Sequence, residues 1–194
     1  MPGKLFGSSG IRGIFGKDIT PELGTRLGLA MGSKAKRAVV GWDVRTTSPL
    51  LASAVASGLM SAGCEVGFAG MIPTPTLARA VSGYDAGVMI TASHNPPEYN
   101  GFKLWNPDGM AFDSVQSDAV ELLLEKGNFP RADWKGIGAS HEIGDAISNH
   151  MEAIISKVGQ VKAKVVVDCG NGAASVLSPY MLREYIRAPE LTRD

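Results

Sequence analysis

Ser93 stands where the apolar run AGVMITA gives way to His-Asn-Pro-Pro, and Lys103 follows across a polar loop in YNGFKLW. A serine just past a strand's C-terminal end is well placed for phosphoryl or acyl transfer, because open α/β sheets bind ligands outside those ends. It can equally cap a turn, and without context that bland use is the commoner one. Serine hydrolysis is disfavoured. The chain has no G-x-S-x-G elbow around Ser93, and on an extended backbone the adjacent His94 points to the opposite side. Phosphorylation of Ser93 suits the surroundings better. A phosphoserine carries roughly two negative charges near pH 7 and needs cations and donors around it. Lys103 and Arg12 are the candidate cations, with Asn95 and Asn100 as neutral polar neighbours.

Arg12 lies in FGSSGIRG, Phe6 to Gly13, where glycines and serines let backbone N–H groups and a guanidinium approach an oxyanion closely. A flexible N-terminal turn is the ordinary reading of such a loop; the arginine between Ile11 and Gly13 raises the odds of an anion site. DCGNGAAS from Asp168 resembles a dinucleotide fingerprint, but Ser175 replaces the third glycine, so a tight turn suffices. His141 and His150 read as isolated surface residues. Asp43 and Arg45, in GWDVRTTSP, read as a strand-end ion pair that fixes a loop.

These residues need elements to position them. Thr20 caps a helix that opens on Pro21, and RAVVGW is a buried strand. SPLLASAVASGLMSAG is a helix with Ser48 as cap and Gly63 at its end. CEVGFAG is a strand, PTPTLARAVSGY a short helix, and AGVMITA the strand that leads to Ser93. GFKLW and GMAF are short extended pieces, SVQSDAVELLLEKG is a helix, and NFPRADWKGIGASHEIG is a loop with room for one strand. DAISNHMEAIISKVGQV is a linking helix, after which AKVVVDCGNGAASVLSPYMLREYI repeats the pattern of strand, aspartate, glycine turn and helix. The alternation predicts a three-layer α/β/α domain with a mostly parallel mixed sheet over residues 1–150. Residues 151–194 would be a linker helix and the truncated start of a similar second domain, too short to stand alone.

Composition narrows the partners. The 194 residues are 44% hydrophobic and 20% charged, enough for a real core, and 24 glycines with 11 prolines supply the turns. Nineteen basic and nineteen acidic residues cancel, so no global field recruits nucleic acid or an anionic membrane. Cys64 and Cys169 lie far apart, which indicates neither a disulfide framework nor a zinc site. No apolar run is long enough to span a bilayer and the N-terminus has no signal-peptide core. A cytoplasmic protein is expected.

TASHNPPEYNGFKLWNPDG together with FGSSGIRG, GWDVRTTSP, IPTPTL and VVVDCGNGAAS, in this order, resembles the α-D-phosphohexomutase family, archaeal-type phosphoglucomutase/phosphomannomutase branch, with phosphoglucosamine mutase a near relative. The resemblance covers nearly the whole chain, as a first domain plus the start of a second. It implies a catalytic phosphoserine at Ser93 with Mg²⁺ on its phosphate. It also implies Arg12 and Lys103 beside it as charge stabilisers and acid/base candidates, His94 as a substrate-positioning residue, and a hexose phosphate as substrate. Hexose 1-phosphate and hexose 6-phosphate would interconvert through the phosphoserine. The family's D-G-D-x-D-R loop, which supplies the other metal ligands, does not occur here, nor do the sugar-reading loops. The chain alone is therefore expected to be inactive as a mutase and to self-associate through the unfinished second unit. The alternative is a non-catalytic fragment that binds phosphate or sugar phosphate.

Overall fold

The computed structural model describes residues 5–7, 10–158 and 163–185. Ser8 and Ser9 of the predicted anion loop, the end of the linking helix at residues 159–162, and the tail RAPELTRD lie outside the described residues.

Seven strands form one sheet: β1 (Phe6–Gly7), β2 (Gly10–Ile14), β3 (Arg37–Trp42), β4 (Glu65–Met71), β5 (Ala86–Ile90), β6 (Tyr99–Trp105) and β7 (Ser140–Glu142). Their spatial order is β1–β2–β6–β5–β3–β4–β7. Pairing is parallel from β5 through β3 and β4 to β7, and antiparallel from β1 through β2 and β6 to β5. The expected α/β/α architecture is present, and the short polar connection from β5 to β6 turns that pair antiparallel.

The helices are α1 (Pro21–Gly32), α2 (Ser48–Ser61), α3 (Thr74–Ala80), α4 (Ser114–Lys126), α5 (Ala146–Val158) and α6 (Ser178–Tyr185). Thr20 caps α1 through its side chain, accepting from the Leu23 N–H, with Pro21 in the first turn as expected. Helix α4 has a full capping box between Asp113 and Gln116 and ends on Gly127 in the left-handed region. Helix α2 departs from the sequence reading. Thr47 occupies its cap position, while Ser48 is buried in the first turn and donates its hydroxyl to Asp43 Oδ1 at 2.7 Å. The Ser48 oxygen, the atom a cap would offer to a first-turn N–H, accepts from Asn100 Nδ2 at 2.9 Å instead.

Alternation along the strands splits the core in two. Val40, Val88, Ile90, Phe102 and Leu104 face α1, α2 and α4, where they meet Leu27, Leu51, Val55, Leu59, Val120 and Leu124. Val39 and Met89 face the other way, into a smaller cluster with Leu77 and Val81 near α3 and Ala146 of α5. Residues directly opposite in an antiparallel pair share a face. The pairs Arg12 with Gly101 and Met89 with Lys103 therefore put both cations on the α3 side of the sheet.

Helix α5 runs from Ala146 to Val158 and docks on α3. His150 is half-buried there, its Nδ1 2.9 Å from the buried Thr76 hydroxyl. His141 pairs with Tyr84 and Glu65. Neither histidine is isolated, because each lies where a helix or edge strand packs onto its neighbour.

The strand expected at AKVVV does not form. Val165, Val166 and Val167 are 52%, 99% and 43% exposed, with no ladder partner among the described residues, and a lone strand leaves its N–H and C=O groups unpaired. Beyond it the glycine turn and helix do appear, as a 3₁₀ turn at Ala173–Val176 followed by α6. Leu177 is buried there and Val176 and Met181 are half-buried, so the exposed apolar surface is confined mainly to the three valines.

Candidate active site

The loop from Thr91 to Glu98 leaves the C-terminal end of β5 and returns as β6. Within it Ser93 has φ 58°, one of two non-glycine residues at positive φ among those described, the other being Asn171. A left-handed serine is strained by its Cβ, and the surroundings fix it from both sides. Its N–H donates to Thr91 Oγ1 at 2.9 Å, and its carbonyl accepts from Arg45 Nη2 at 3.0 Å. The side chain is left exposed.

That conformation corrects the expectation for His94. On an extended backbone the two side chains would diverge, but the left-handed turn brings Ser93 Oγ and His94 Nδ1 to 3.3 Å. The imidazole can accept the hydroxyl proton when Nδ1 is unprotonated.

Arg12 reaches the loop from β2. Its Nη1 donates to Asn95 Oδ1 at 2.7 Å, so residues distant in sequence meet at the Ser93 turn. The close approach depends on Gly101, opposite Arg12: a Cβ there would lie 2.3 Å from Ile11 O and 3.1 Å from Thr91 O. Lys103 shares the face, half-buried, and lines a cavity of about 210 Å³ with Gly7, Gly10, Thr74 and Trp105. Desolvation, and then the charge of Arg12, hold the Lys103 amine below the ordinary lysine range. Two cations close enough to oppose each other's charge make a ready site for an anion. The larger cavity, of about 640 Å³ between α3 and α5, contains none of these four residues.

Beneath the loop lies a network that the sequence disclosed only in part. The Asp43–Arg45 pair forms as expected, 3.2 Å from Nε to Oδ2, but it does more than brace its own loop. Asp43 also accepts from the Arg45 N–H, from Ser48 and, at 2.6 Å, from the Thr91 hydroxyl. Ser48 in turn accepts from Asn100 Nδ2 at 2.9 Å. Thr91 was missed as a contributor. A usable signal was present: GWD and MIT end two apolar strands that pair in parallel, with Trp42 beside Ile90, which makes Asp43 and Thr91 neighbours.

A divalent cation finds no ready cage in these residues. No group of three or more His, Cys, Asp or Glu side chains able to hold a metal occurs among the described residues. Asp43 is already engaged by four donors. The chemistry that the described residues can offer rests on a serine hydroxyl, an imidazole, two cations and the backbone.

The family model "Phosphoglucomutase/phosphomannomutase, alpha/beta/alpha domain I" matches residues 3–131. The chain is 54% identical over 181 residues to the "Probable phosphoglucosamine mutase" of Methanosarcina acetivorans, covering 93% of this chain and 42% of that protein. It is 43% identical over 183 residues to the phosphoglucosamine mutase of Methanocaldococcus jannaschii, covering 94% of this chain and 40% of the relative. The crystal structure of a phosphoglucomutase/phosphomannomutase family protein from Burkholderia thailandensis superposes with TM-score 0.84 at 30% identity, over 98% of this chain and 44% of that one. The chain thus spans about two fifths of the length of the curated relatives it matches. By this match the chain belongs to the phosphoglucomutase/phosphomannomutase family and carries that family's α/β/α domain I over residues 3–131.

Proposed function

We propose that this chain supplies the phosphoserine and first-domain cations of a phosphohexomutase, and that the hexose phosphate is a glucosamine phosphate. The observation that carries the reading is the Ser93 loop itself. A strained serine, fixed at its N–H and C=O with its hydroxyl exposed, lies in a turn joined to Arg12, and Lys103 shares the Arg12 face. The choice of sugar rests on the names of the relatives, which are phosphoglucosamine mutases.

In the half-reaction, Ser93 Oγ attacks one phosphorus of a hexosamine 1,6-bisphosphate. The Oγ–P bond forms as the bond from phosphorus to the sugar oxygen breaks, and the hydroxyl proton ends on that oxygen. His94 Nδ1, at 3.3 Å, is placed to hold the proton on the way. Arg12 and Lys103 offset the charge on the transferring group, which is most of what a protein contributes to phosphoryl transfer. Mg²⁺ would bind through the phosphate on Ser93, with its remaining ligands outside the described residues.

The alternative, a phosphate-binding fragment without turnover, is favoured by the lack of a metal-ligand cluster among the described residues. The two readings separate in an assay of the purified chain with glucosamine 6-phosphate, Mg²⁺ and a bisphosphate activator, beside Ser93→Ala. The proposal predicts phosphate transfer that depends on Ser93, with little net interconversion by this polypeptide alone. Transfer that survives in Ser93→Ala would remove Ser93 from the mechanism. Robust turnover by the chain alone would remove the need for residues outside it.

A further inference from the structure

Arg45 uses every N–H of its guanidinium. Nε donates to Asp43 Oδ2 at 3.2 Å, Nη1 to the carbonyls of Pro96 and Tyr99 at 2.7 and 2.9 Å, and Nη2 to those of Ser93 and Asn95 at 3.0 and 2.7 Å. Three backbone carbonyls of the loop and that of Tyr99, at the start of β6, therefore converge on a single cation. Carbonyl dipoles aimed at one point repel each other, so this curl needs a positive charge at its centre. A metal ion does that elsewhere; here a planar guanidinium with donors in a fixed fork does it.

We infer that Arg45, seated on Asp43, is the positioning residue for the Ser93 hydroxyl. The inference rests on the reading of Ser93 as a phosphoryl acceptor. Arg45 takes the Ser93 carbonyl, while Thr91, anchored on the same Asp43 carboxylate, takes the Ser93 N–H. The two peptide groups that flank the Ser93 Cα are thus tied to one ion pair, and this holds φ at 58° and turns Oγ toward His94. Arg45 makes no contact with the hydroxyl itself. Its charge is matched by Asp43, so it contributes shape to the site and leaves the opposing of phosphate charge to Arg12 and Lys103. Lysine cannot substitute, because one ammonium nitrogen cannot reach four separated carbonyls and a carboxylate together.

The test compares the purified chain with Arg45→Lys in two measurements. Amide exchange by NMR reads the loop, and intact-mass uptake of phosphate from glucosamine 1,6-bisphosphate reads the acceptor. With charge-assisted hydrogen bonds removed, protection of the Ser93 and Asn95 amides falls by at least about tenfold, while Val88 in β5 keeps its protection. The saturating rate constant of phosphate uptake falls by a similar factor while the final extent of uptake and the half-saturating donor concentration stay unchanged, a split distinct from a general loss of folded protein, which would lower the extent. Protection and uptake both within about twofold of the parent chain would overturn the inference, since the bonds removed are worth more than that. Thr91→Val, which frees the Ser93 N–H with Arg45 in place, serves if Arg45→Lys does not fold. Lowered uptake with the same split supports the double tether, and unchanged uptake overturns it. If the parent chain takes up no phosphate at all, the acceptor reading fails, and the amide measurement alone decides whether Arg45 positions the loop.

Discussion

Replacing Ser93 by glycine should stabilise the chain relative to replacing it by alanine, although both substitutions delete the same hydroxyl. At φ 58° any Cβ crowds the following carbonyl, at about 1–2 kcal/mol for an L-residue. Glycine avoids that cost but loses more backbone entropy on folding, which takes back about 0.5–1 kcal/mol. Alanine keeps the strain and lacks the hydroxyl, so the pair isolates the backbone term. Subtracting the midpoints leaves about 0.75 kcal/mol in favour of Ser93→Gly, or about 1.5–3 °C in Tm for a chain of this size. Urea unfolding of the two variants in parallel gives the difference directly, and equal m-values would show that the compactness of the unfolded state is the same in both. Ser93→Gly no more stable than Ser93→Ala would refute the reasoning, because residue 93 would then not be held in the left-handed region in solution. A serine held at a position where glycine fits better is a reason to look for function there.

Three other outcomes follow from particular contacts. Gly28→Ala should destabilise the domain by about 2 kcal/mol in urea unfolding: the added Cβ would lie 2.1 Å from Val55 O on α2, and overpacking outweighs the helix-propensity gain of about 1 kcal/mol. His150 has its pKa lowered by burial and then by Arg79, so in the window from the ordinary histidine value down to its folded value the unfolded chain binds more protons. Stability should therefore fall as pH drops through that window, and His150→Gln should flatten the slope measured by thermal unfolding at several pH values. Lys103→Met should raise the Tm of the unphosphorylated chain at neutral pH, since the charged amine is disfavoured by desolvation and by Arg12, and should weaken inorganic phosphate binding measured by calorimetry.

Most of the first domain was legible because its elements carry local signals. Thr20-Pro21 starts α1, Asp113 with Gln116 starts α4, and the valine and alanine runs of β3 and β5 are buried on both faces. What failed locally failed for tertiary reasons. Ser48 looks like a cap until Asp43 takes its proton and Asn100 of β6 donates to its oxygen, and AKVVV looks like a strand but has no described neighbour to pair with. The candidate site was named from the sequence as a set of residue types, Ser93, His94, Arg12 and Lys103, but not as geometry. Nothing local announces that Ser93 turns left-handed, which is why His94 was expected to point away. Arg45 was visible as half of an ion pair, whereas its four carbonyl partners exist only once the loop has curled round it.

The most direct measurement is to locate phosphate on the chain. Purified protein is incubated with glucosamine 1,6-bisphosphate and Mg²⁺, digested, and sequenced by tandem mass spectrometry, with Ser93→Ala treated identically. The account predicts one phosphate, on the peptide that contains Ser93 and at Ser93 itself, and none on the variant. An unmodified Ser93, or phosphate carried equally by Ser93→Ala, would contradict it.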